Sequence, residues 1–69
     1  MAGRKQVHLD TVLFEFIRQG NSVKVSAIDP ETGTEVAIVG DPKSGIETLK
    51  RVATRKLIYV MGKDETARR

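Results

Sequence analysis

The chain has 69 residues, no cysteine and a single histidine, His8, and its 12 Lys and Arg outweigh 9 Asp and Glu to give a net charge of +3. That length admits one domain, the missing cysteines exclude a disulfide framework, and a single histidine brings a zinc site close to exclusion. A core this small rarely supplies more than about 3–5 kcal/mol unaided, so self-association is the remaining way to stabilise it.

Residues 1–11 are polar, lack a sustained period, and read as a flexible N-terminal arm. No apolar run follows Arg4 and Lys5, so the start does not read as a signal peptide. No apolar stretch approaches the length of a membrane span. The expectation is a soluble, cytoplasmic protein.

Residues 12–62 read as one α+β domain. Val12–Arg18 is rich in β-formers, with Val12, Phe14 and Phe16 on one face and Leu13, Glu15 and Ile17 on the other. Gly20-Asn21 has the chemistry of a hairpin turn. Residues 22–29 alternate again, Val23, Val25 and Ala27 against Lys24, Ser26 and Ile28. Asp29-Pro30-Glu31-Thr32-Gly33 is a turn, because aspartate bonds back to the backbone and proline pre-sets φ. Residues 34–39 form a third strand, with Val36 and Ile38 on one face. Two short connections require antiparallel, up-down-up pairing, so the sheet is a three-stranded meander.

Gly40-Asp41-Pro42-Lys43 breaks the strand, and Ser44-Gly45-Ile46-Glu47 fits the S-x-x-E capping box of a helix start. Ile46, Leu49, Ala53, Leu57, Val60 and Met61 then recur at helical spacing. Lys50, Arg51, Thr54 and Arg55 fall on the opposite face, and Gly62 is placed as the C-terminal stop. A single C-terminal helix is expected over about 45–61, roughly 25 Å long, with residues 63–69 as a flexible charged tail. The helix stripe should cover Val12, Phe14, Phe16, Val23, Val25, Ala27, Val36 and Ile38. One helix cannot cover both sheet faces. Leu13, Ile17, Ile28 and Val39, with the off-stripe Ile58 and Tyr59, are therefore the candidate dimer contacts.

Motifs that carry chemistry fail on inspection. Gly40 to Gly45 sits between strand and helix as a P-loop does, but Ile46 and Glu47 occupy the positions of the phosphate lysine and the Mg²⁺-binding hydroxyl. Asp29, Glu31 and Glu35 lack the EF-hand offsets. His8 lies beside Asp10 with no nucleophile to serve, and no serine sits in a nucleophile elbow. The chain is expected not to be an enzyme and to need no metal or cofactor.

Charge is distributed unevenly: residues 11–41 carry a net −3 and residues 42–69 a net +5. Lys50, Arg51, Arg55 and Lys56 form a basic helix face that could follow phosphates. The element order is similar to that of double-stranded-RNA-binding domains and to the three-stranded sheets of some integrase arms. However, the first helical turn is poor in basic residues, the strand region is acidic, and few aromatics remain for stacking.

The pattern Phe14-Glu15-Phe16, Gly20, Val23-Lys24-Val25, Ala27-Ile28-Asp29, Thr32-Gly33, Glu35-Val36, Ile38-Val39-Gly40, Leu49, Val52-Ala53, Arg55-Lys56-Leu57 and Tyr59-Val60 resembles a family of small uncharacterised alphaproteobacterial proteins. The resemblance covers about residues 12–61. It implies a stand-alone bacterial cytoplasmic domain and transfers no activity, cofactor or site residue. The expected function is that of a non-catalytic, homodimeric interaction module, with strand or helix exchange at Gly20 or Gly40–Gly45 as one route to the dimer and another protein as the other candidate partner for the surplus apolar surface. Nucleic-acid binding by the basic helix face is the alternative.

Overall fold

The computed structural model describes the backbone of residues 11–67 and the side chains of residues 11–63. Most of the arm expected over 1–11, together with residues 68 and 69, lies outside the described residues. Three strands, β1 (Leu13–Gln19), β2 (Ser22–Ile28) and β3 (Glu35–Gly40), form an antiparallel sheet in the order β1-β2-β3. A 3-10 turn at Pro42–Ser44 leads into one helix, α1 (Ile46–Ala67). The fold is the α+β meander plus C-terminal helix that the alternation and the helical period imply.

Both hairpins rest on local chemistry. β1 and β2 are joined by Gly20-Asn21, with Gln19 opposite Ser22. Gly20 has φ 58° and, among the described residues, only glycines have positive φ, so Asn21 does not, the pattern of a type II′ turn with glycine first. At the second hairpin the Asp29 N–H donates to the Thr34 carbonyl at 2.9 Å, and the Gly33 N–H donates to the Asp29 carbonyl at 2.8 Å. The Asp29 carboxylate accepts from the Glu31 N–H, the Thr32 N–H and the Thr32 hydroxyl. This explains how an acidic side chain that is 4% exposed remains satisfied.

The register fixes two sheet faces. Phe14, Ala27 and Val36 lie in one row of the front face, and Phe16, Val25 and Ile38 in the next. The helix adds Leu49, Ala53 and Leu57, which are buried with Val25, Ala27 and Val36. Val12, Phe14, Val23, Ile38, Val60 and Met61 pack around them. A Cβ on Gly40 would stand 2.5 Å from Leu49 Cδ2, so glycine at the end of β3 lets the helix approach closely.

Four expectations about the helix are corrected. Its end is not at Gly62: the helical backbone continues to Ala67, so residues 63–67 are helix rather than tail. Gly62 does not have positive φ, so it cannot make the left-handed stop that glycine often supplies. The capping box does not form as read. Asp41 caps the 3-10 turn, its carboxylate accepting the Lys43 N–H at 2.9 Å, and Ser44 is consumed as the last residue of that turn. Gly45, at φ 90°, redirects the chain, and its carbonyl takes the first helical bond from the Leu49 N–H at 3.1 Å. Ile46, expected in the apolar stripe, is 58% exposed because the stripe meets the sheet only from Leu49 onward. Lys50 and Thr54 are half-buried flank residues rather than members of a face opposite the stripe.

Candidate functional site

Two surfaces are left open, and both follow from one helix lying on a three-stranded sheet. Side chains alternate between faces, so the residues that skip the core gather on the back of the sheet. Leu13, Ile28 and Glu35 form one row there, Glu15, Ser26 and Ala37 the next, and Ile17, Lys24 and Val39 the third. Leu13 is 48%, Ile17 43% and Val39 66% exposed, while Ile28 on the central strand is half-buried. Ser26 is buried in the middle of this face by its neighbours. The sheet brings these four candidate contacts together on one surface. Ile58 and Tyr59 are also exposed, but they lie on the helix and do not join that patch.

The second surface is a groove of ≈ 690 Å³ on the front, between β1 and α1. It exists because the helix lies over β2 and β3 rather than centrally over the sheet. Phe14 is its apolar floor, and Glu47, Lys50, Arg51, Thr54, Arg55 and Ile58 line it. The Lys50 ammonium stands 5.2 Å from the centroid of the Phe14 ring, within the range of a cation–π contact. It also lies 3.8 Å from the Glu47 carboxylate. The Phe16 ring is 6.4 Å from that of Phe14. Phe16 was expected in the core but is 39% exposed, since the displaced helix does not reach it.

The groove gathers three of the four basic residues named from the sequence. The fourth, Lys56, points elsewhere. Its ammonium donates to the Ala37 carbonyl at 2.8 Å, on the outer edge of β3. Lys56 therefore guards a strand edge instead of extending a phosphate track. Tyr59 carries the Lys63 ammonium 5.9 Å from its ring. Sequence reasoning missed the groove because strand parity assigns a face to each residue but not the lateral position of the helix over that face.

Among the described residues, no group of three or more His, Asp or Glu side chains is arranged to hold a metal ion. No helix there is long and apolar enough to cross a membrane. A family model described as a domain of unknown function (DUF6898) matches residues 9–64. No curated protein matches, and no solved structure does.

Proposed function

For a chain that belongs to this family of unknown function (DUF6898), we propose a non-catalytic, self-associating interaction module in which a second copy covers the back of the sheet. The observation that carries this reading is the exposure of Leu13, Ile17 and Val39 on a sheet face that α1, the only α-helix among the described residues, cannot reach. Burying one aliphatic side chain contributes about 1.5–3 kcal/mol, and half of that remains available where half is already buried. Four such residues from each of two copies give roughly 6–12 kcal/mol before association costs of about 4–15 kcal/mol. The balance favours a concentration-dependent homodimer over a permanent one.

The same reading has the domain working in a bacterial cytoplasm, supported by the resemblance to small alphaproteobacterial proteins and by a composition without cysteine. Element exchange through Gly40–Gly45 is its finer variant. Sedimentation equilibrium at two concentrations tests it. The expected mass rises toward twice that of the chain with concentration, and Ile17→Lys returns it to one chain. A constant single-chain mass up to high micromolar concentration refutes the reading.

Nucleic-acid binding is the second reading, favoured by the convergence of Lys50, Arg51 and Arg55 on one groove. It predicts affinity that falls steeply with salt and is lost when these three charges are reversed, as an electrophoretic shift would show.

A further inference from the structure

The two edges of the sheet are treated differently. At β3 the Lys56 ammonium occupies an outward carbonyl, that of Ala37. At β1 no described residue does the same. A two-residue turn closes on a bonded pair, and bonded pairs alternate along an antiparallel ladder. With Gln19 opposite Ser22, residues Leu13, Glu15, Ile17 and Gln19 spend their N–H and C=O groups on β2. Phe14 and Phe16 therefore turn theirs outward, to the open edge. Arg18 could shield that edge, but its Nε–H donates to the Gly20 carbonyl at 2.9 Å, folding the side chain back along the turn. The strand has no proline, no lysine and no bulge to discourage pairing.

The same two residues direct their rings to the front, Phe14 forming the groove floor with Phe16 next to it. A strand added to β1 would thus bond at Phe14 and Phe16 and lower every second side chain into the groove, under Lys50, Arg51 and Arg55. This is the arrangement by which strand addition combines main-chain affinity with side-chain selection. The lining carries three cations against one carboxylate, and that carboxylate, Glu47, already faces Lys50.

We propose that the β1 edge and its groove bind an extended segment of another protein with acidic side chains at alternate positions. Charge together with the hydrogen-bonding pattern of the edge selects this occupant over two others. A second copy's β1 would bring Phe14, Phe16 and Arg18 to the groove and no acid. A nucleic acid would satisfy the cations but could not reproduce the alternating donor and acceptor pattern of the edge.

The test is fluorescence anisotropy with a short labelled peptide alternating glutamate and valine. Saturable binding is expected, with no binding by the same peptide carrying lysine for glutamate. The pair Arg51→Glu and Arg55→Glu should weaken binding at least about tenfold, equivalent to ~1.4 kcal/mol, with circular dichroism confirming the fold. Peptides N-methylated at alternate amides need no change to the protein. Methylation in one phase should abolish binding, and in the other phase leave it. Equal binding by both methylated peptides would overturn strand addition. So would no binding of the glutamate peptide, or tighter binding of a single-stranded oligonucleotide, which would make the groove a nucleic-acid surface. Val39→Lys, on the back face, should leave peptide affinity unchanged, so failure here is distinguishable from failure of self-association.

Discussion

Asp29 shows how much one side chain organises in a chain this small. Its carboxylate takes two backbone N–H groups and the Thr32 hydroxyl, which in turn lies 2.8 Å from the Thr34 hydroxyl. Removing the carboxylate leaves those donors to weaker partners inside a tight loop. A net hydrogen bond contributes about 0.5–1.5 kcal/mol, and the two backbone contacts are long. Asp29→Ala should therefore cost about 1–2 kcal/mol, read as a lower urea midpoint at constant m-value, with Asp29→Asn losing less because one acceptor oxygen remains. This role was legible in the sequence, since Asp-Pro-x-Thr-Gly holds the ligand and its donors within five residues. Phe16 was not legible in the same way. Its parity assigns it to the core face, and only the lateral offset of the helix decides that it stays exposed.

At the scale of elements, strands were read more accurately than helix ends, for a physical reason. A strand's register is bound to the alternation of its side chains, because a slip by one residue turns Val25 and Ala27 to the back face. A helix end is decided by short competing signals. At the N-terminus, Asp41-Pro42 builds its own capped turn and leaves Gly45 to start the helix. At the C-terminus, glycine is a common stop, yet here the helical backbone passes through it to Ala67. Helical glycine costs about 0.5–1 kcal/mol relative to alanine. Gly62→Ala should accordingly stabilise the domain by about that amount and raise the helical circular-dichroism signal. Were Gly62 left-handed, the same substitution would destabilise it, so the sign of the change reports the path of the helix.

For the whole molecule, the decisive quantity is apolar sheet surface against a single covering helix. The strand alternation set against one helix already implied a surplus, and the structure locates it at Leu13, Ile17 and Val39 on the back and beside Phe14 and Phe16 on the front. Val39 is the most exposed of these, so in an isolated chain Val39→Lys should alter stability by less than about 0.5 kcal/mol. Covered by a second copy, it would bring a charge into an apolar contact. The two situations differ in concentration dependence, because association that favours the folded form stabilises it by mass action. The unfolding temperature of the unaltered chain should climb as its concentration is raised a hundredfold, about 2.7 kcal/mol at full linkage. That of Val39→Lys should stay constant and match the dilute value of the parent. Scanning calorimetry across the concentration series decides it: two flat, superimposable curves would mean that the back of the sheet remains in water and that the small core holds the fold alone.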